Sequence, residues 1–252
     1  MDVYGELLAS AYRLREQLGK PSEAIRSFLI GLADTAAALW EQPDNGIWEV
    51  RGEPRQFLFS KLMCWVALDR ALALASQLHA DDQSEHWRAA AAEIRSAILE
   101  KGWSAEAGAF TQSFGSPDLD ASALMIPIVG FLPGDDPRVL ATIDAIAGRL
   151  TDDQGLVYRY RTSTGVDGLA GEEGSFLLCT FWLAQAQAQA GRLEQARATF
   201  QRAGRYANDL GLLAEEVADG ELIGNFPQAF SHIGLINAAW AIRERETFVN
   251  VS

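Results

Sequence analysis

The chain has 252 residues, 48% of them hydrophobic and 22% charged, and carries a formal net charge of −13. That composition supplies a sizeable core and excludes a disordered acidic tail, and the negative charge excludes partners that would repel it, nucleic acid and anionic membrane among them. No stretch approaches about eighteen consecutive apolar residues, so no membrane span is predicted. The N-terminal MDVYGELLAS has Asp and Glu where an export signal needs Lys or Arg. Cys64 and Cys179 lie inside the apolar runs KLMCWVAL and SFLLCTFWL and read as core thiols of a reducing compartment. The expected location is therefore cytoplasmic.

In chain order, apolar residues at three- and four-residue intervals predict helices over 2–18 and 21–41, separated by Gly19-Lys20-Pro21. A helix over 54–79 is apolar almost all round, and 82–101 is amphipathic, with Trp87, Ala91, Ile94 and Ile98 on one side. The alternation continues through apolar 119–131, amphipathic 136–149, apolar 174–190, amphipathic 193–209 and apolar 227–245. A helix apolar all round is buried on several sides, whereas a single stripe marks an outer helix. The strand signal is confined to Leu156–Tyr160.

Four loops separate these pairs: DNGIWEVRG at 44–52, KGWSAEAGAF at 101–110, DQGLVYRYR at 153–161 and LGLLAEEVADG at 210–220. They recur about every 55 residues, the length of two helices with their connections, which marks a helical-hairpin repeat. Each precedes an inner helix, so a ring of hairpins would gather all four at one mouth, where function is expected. About nine helices, five inner and four outer, do not close a double ring of six hairpins. Uncovered apolar inner-helix surface is therefore predicted.

Two of these loops carry carboxylates. Glu49 lies between Trp48 and Arg51, and Glu215 and Glu216 follow two leucines and an alanine. Glycosidic hydrolysis needs two carboxyl groups flanking one bond, a protonated acid for the leaving oxygen and an ionised base for water. Trp48 offers a flat face to a sugar ring, and Arg51 a donor for hydroxyls. The same acids also fit plain exposed loops and helix caps. Asp81-Asp82, Asp135-Asp136 and Asp152-Asp153 read as caps rather than metal ligands, and Asp120 as a cap. His79, His86 and His232 are isolated, with His232 read as a satisfied polar group. Trp65, Trp182 and Trp240 read as core, and Trp48 and Trp103 as stacking candidates.

The segments DNGIWEVRGEPRQFLFSKLMCWVALDRAL, LDASALMIPIVGFLP, GEEGSFLLCTFWLAQA and LLAEEVADGELIGNFPQAFSHIGLINAA resemble the bacterial branch of glycoside hydrolase family 15, the glucoamylases and trehalases. The resemblance runs through almost the whole chain. It implies an (α/α)6 toroid of helical hairpins, here incomplete at about nine of twelve helices, with residues 1–252 as the C-terminal portion of the catalytic domain. It also implies inverting hydrolysis of α-glucosidic bonds in trehalose, maltooligosaccharide or starch-like substrates, without a cofactor or metal. Carried over by motif, Glu49 becomes the general acid and Glu215 the general base. Trp48, Arg51, Arg161 (less surely Arg159) and Glu173 become substrate-binding residues. Fungal members have a second acid after the general acid; here that place is Val50, with Arg51 nearby as a partial replacement.

The family's first helices, with an Arg-Asp motif gripping the terminal glucose, and its β-sandwich domain have no counterpart in these residues. An oligomer or partner covering the open ring is the corresponding expectation. The alternative from another class is a non-catalytic carbohydrate-binding or interaction module, and a generic helical scaffold is the third.

Overall fold

The computed structural model describes residues 1–17, 19–162 and 173–249. Its two compact units are Met1–Trp103 with Ser113–Gly115, and Ser104–Gln112 with Ser116–Ser252. Among the described residues there are nine α-helices, and none is long and apolar enough to cross a membrane.

The first unit holds α1 (Val3–Arg13), α2 (Glu23–Leu39), α3 (Leu58–Leu78) and α4 (Ser84–Lys101). Ser22 starts α2 as its N-cap, its hydroxyl accepting the Ile25 N–H. Fourteen of the 21 residues of α3 are buried, because α1, α2 and α4 all pack on it. The amphipathic α4 turns Trp87, Ala91, Ile94 and Ile98 inward, and the Trp87 indole N–H donates to Asp34 of α2 at 2.7 Å. The helix predicted from Pro54 starts four residues later. Asp44 and Arg55 exchange both backbone hydrogen bonds, at 3.0 and 2.9 Å, and Phe57 bridges Ser113, so this stretch is extended before the helix can begin.

Two short strands, β1 (Trp103–Ser104) and β2 (Ala109–Phe110), lie where the chain passes from one unit to the other. The second unit continues with a 3₁₀ turn over Ala121–Leu124, then α5 (Met125–Ile128), α6 (Pro137–Arg149), α7 (Leu177–Gln189), α8 (Leu193–Gly204) and α9 (Ala229–Val249). The predicted helix over 119–131 is thus shorter and partly 3₁₀; Gly130, at φ 80°, ends it. Asp136 caps α6 by accepting the Arg138 N–H. The apolar α7 packs against α5, α6, α8 and α9. Its predicted start at 174 gives way to β3 (Ser175–Phe176), which pairs with β4 (Glu216–Ala218); β4 pairs in turn with β5 (Glu221–Ile223). Asp219 and Gly220, both at positive φ, make the two-residue turn between β4 and β5. The segment Leu156–Tyr160 makes only the isolated bridges Thr151↔Val157 and Asp120↔Tyr160.

Within this unit the loops preceding the inner helices are laced side by side. Ala121 N–H donates to Arg159 O at 2.8 Å, joining the segment before α5 to the loop before α7. The β3–β4 pairing joins the loop before α7 to the loop before α9, and Leu177 N–H donates to Glu215 O at 3.1 Å.

Among the described residues two helical faces are left apolar and exposed. On α9, Phe230, Ile233, Ile236 and Trp240 form one stripe, 62%, 49%, 60% and 61% exposed. Val3 and Leu7 of α1, Leu14 at its C-terminal end, and Ile25 and Phe28 of α2 are exposed likewise. These are uncovered apolar faces of the kind the helix count predicts.

Candidate active site

In the first unit the loop entering α3 is fixed from several sides. Gly46 stands at φ 68° with the Phe57 ring packed where a Cβ would sit (2.8 Å), so no larger residue fits that turn. Asn45 accepts from Val50 N–H at 3.0 Å through its backbone and donates its side-chain amide to Val50 O at 2.7 Å. Lys61, wholly buried in the first turn of α3, donates its ammonium to Gln42 O at 2.5 Å. Burial pulls Lys61 below the ordinary lysine value, and Asp44 leads the opposing attractions. The loop presents Trp48 half-buried, and Glu49 and Arg51 exposed. Glu49 is at φ 49°, a left-handed backbone that costs a non-glycine residue about 1–2 kcal/mol. Val50 is 3% exposed and so belongs to the core.

In the second unit Glu215 immediately precedes β4. Asn225 grips one of its carboxylate oxygens, Oε2, with its backbone N–H at 3.0 Å and its side-chain amide at 2.9 Å. The other oxygen, Oε1, has no hydrogen-bond partner among the described residues, and the side chain is half-buried. Glu216 Oε2 accepts Gly174 N–H at 3.1 Å. Arg159 forms a two-pronged pair with Glu173, Nε to Oε2 at 2.8 Å and a second terminal N–H to Oε1, and lies over the Tyr160 and Phe176 rings. The structure therefore gathers Arg159, Glu173, Glu215 and Glu216 around one small sheet. Arg161 is turned elsewhere: it is exposed, donates to Arg149 O and Thr151 O, and covers the Tyr158 ring at 4.3 Å. Gly171 and Glu172 of the GEEGSF motif lie outside the described residues.

Burial pushes the Glu216 carboxyl up, Glu173 and Glu215 add repulsion, and Arg159 opposes them. Folding then favours the protonated form, so stability falls as pH rises above the ordinary glutamate value. Glu216→Gln should accordingly raise the melting temperature at about pH 7 and lose that gain near pH 4; a gain equal at both pH values would show that charge is not the cause.

Asp120 and His232 have structural partners. Asp120 caps its 3₁₀ turn through Ser122 N–H at 2.7 Å. His232 Nδ1 meets Gln228 O at 2.8 Å, and Nε2 accepts Leu213 N–H at 3.4 Å. Cys64 is pushed up to about 11 by burial, and Cys179 is buried and raised as well, which keeps both as inert thiols. Among the described residues no group of three or more His, Cys, Asp or Glu could hold a metal ion. Asn45, Lys61 and Asn225 are residues of the site that the sequence reading did not single out, although all three lie inside quoted motifs; Glu216 was noted there only as a loop carboxylate.

The same fold recurs in solved glycosidases. A bacterial glucoamylase complexed with acarbose superimposes with a TM-score of 0.79 at 18% identity, over 97% of this chain and 41% of that one. A glycosidase variant in complex with glucose gives 0.80 at 23% identity, over 96% of this chain and 66% of that one. The architecture is thus the all-α hairpin fold of glucoamylase-type glycosidases. The model of Glycosyl hydrolases family 15 matches residues 1–240, and the chain belongs to that family. It is 46% identical over 242 residues to a trehalase of Mycolicibacterium smegmatis, 94% of this chain and 36% of that protein. It is 37% identical over 246 residues to a trehalase of Thermoplasma volcanium, 97% of this chain and 39% of that one. The chain thus spans little more than a third of the length of these relatives.

Proposed function

We propose that the chain supplies both catalytic carboxylates of an inverting α-glucosidase, with trehalose as the favoured substrate. Glu49 protonates the glycosidic oxygen as the C1–O bond breaks. Glu215 takes a proton from the water that attacks C1 on the opposite face. Inversion requires the two carboxyl groups to stand roughly 6.5–9.5 Å apart so that water fits between them. Trp48 and Arg51 beside the acid, and Glu173 with Arg159 beside the base, bind the sugar; Arg159 takes the arginine role that the motif gives first to Arg161, whose guanidinium is held by Arg149 O and Thr151 O. The observation that carries this reading is the Glu215 carboxylate, oriented through one oxygen by two Asn225 donors, with no hydrogen bond to the other among the described residues. Relatives named trehalases support trehalose as the substrate.

The bare faces of α9 and of α1 and α2 are, in this reading, where the remaining helices of the ring dock. Those helices correspond to the part of the relatives that this chain does not span. The same faces favour a second reading, an interaction module that binds sugar or a partner without turnover. One experiment separates them. The chain is produced together with the complementary N-terminal part of the M. smegmatis trehalase, and trehalose hydrolysis is followed by NMR. Release of one β-glucose with each α-glucose supports the inverting enzyme; sugar binding without turnover supports the module. Replacing Ile236 and Trp240 by Asp should abolish assembly and lower activity about 100-fold or more, while leaving the melting temperature of the chain alone nearly unchanged, because both side chains are already largely in water.

A further inference from the structure

We propose that Asn45 is a positioning residue that holds Glu49 for proton donation, an inference resting on the acid role given to Glu49 above. Glu49 occupies a left-handed backbone, φ 49°, which a residue with a β-carbon keeps only where its neighbours enforce it. The enforcement converges on the next residue. Val50 N–H donates to the Asn45 carbonyl at 3.0 Å, and the Asn45 side-chain amide returns a donor to Val50 O at 2.7 Å and reaches Gly52 O at 3.4 Å. Glu49 N–H closes the inner turn on Gly46 O at 3.2 Å. Val50 is sunk in the core at 3% exposure, so the bracket has a fixed anchor on one side and Glu49 projects from the other. The Glu49 carboxyl itself has no hydrogen bond among the described residues, so the backbone bracket, which sets the direction of its Cα–Cβ bond, is the constraint the loop places on it. A side chain at position 45 must both fit the turn and donate. Alanine donates nothing, and aspartate would set a negative oxygen against the Val50 carbonyl.

Hydrogen exchange on the 252-residue chain tests the bracket directly. Asn45→Ala and Asn45→Asp should each speed exchange at the Val50 amide by about tenfold or more, with the amides of α3 unchanged. In the ring-completed protein the same variants should lower kcat on trehalose by about tenfold while KM stays within about twofold. Hydrolysis of α-glucosyl fluoride, whose leaving group needs no proton from the enzyme, should be retained. That contrast is one a merely structural role would not produce, since a general loosening would slow both substrates alike. Unchanged exchange at Val50, or equal losses on the two substrates, would overturn the proposal while leaving the acid role of Glu49 standing. Full trehalose activity in Glu49→Gln would instead overturn the acid role, and with it the catalytic half of this inference.

Discussion

In the ring-completed enzyme, Glu215→Gln should lower kcat for trehalose by roughly 10²–10⁴-fold, the range that a positioned general base contributes, with KM little altered. Glutamine is the same size, and its carbonyl oxygen still accepts both Asn225 donors, so the pocket keeps its shape. Only the oxygen that Asn225 leaves unbonded is replaced, by an amide nitrogen that cannot accept a proton from water. Because water must be deprotonated whichever group leaves, the loss should be as large on α-glucosyl fluoride as on trehalose. Glu49→Gln should fall by a similar factor on trehalose and be spared on the fluoride. This crossed pattern assigns base and acid independently of each other. A loss below tenfold for Glu215→Gln would remove it from the reaction.

Trp87→Ala should destabilise the first unit by about 3–5 kcal/mol, the usual cost of emptying a large aromatic site in a core that cannot collapse to fill it. Trp87 is fully buried in α4, and its indole N–H is bonded to Asp34 of α2, so the substitution opens a void and removes an interhelical hydrogen bond. Against a typical domain stability of about 5–15 kcal/mol, that is a large share. Urea titration with tyrosine or circular-dichroism detection measures it. Trp87→Phe should cost markedly less, since it keeps most of the apolar volume. A cost under about 1 kcal/mol for the alanine variant would mean that the neighbouring helices close over the gap.

The helices were legible in the sequence because their pattern has a long reach. Over α3 or α4, about twenty residues repeat the same apolar spacing, and packing on both sides of α3 only reinforces it. Element starts were less legible wherever backbone pairing from distant residues took over. Nothing near Pro54 reveals that Arg55 will pair with Asp44, nor does the GSFLL segment show that Ser175 and Phe176 will join Val217 and Glu216. The Asp219-Gly220 turn carried a readable signal, since Asp-Gly is a favoured pair for a two-residue hairpin, yet the strands beside it are only three residues long. At the site, the motifs marked Glu49 and Glu215 as residues of interest. They could not show that Arg159 pairs with Glu173 while Arg161 is taken up by backbone carbonyls, because alternate residues of an irregular loop have no fixed period to tell them apart.

The lacing of the loops in the second unit bears on how such a protein can change over generations. Glu215 is steered by Asn225 beyond the hairpin and by a neighbouring strand from the preceding helical pair, so its aim is shared property. An insertion at Ser175 or Phe176 would tilt the carboxylate next door even though it left the Glu215 segment untouched. Variation in substrate reach is then easiest at the Asp219-Gly220 tip, where added residues project outward and leave the ladder intact.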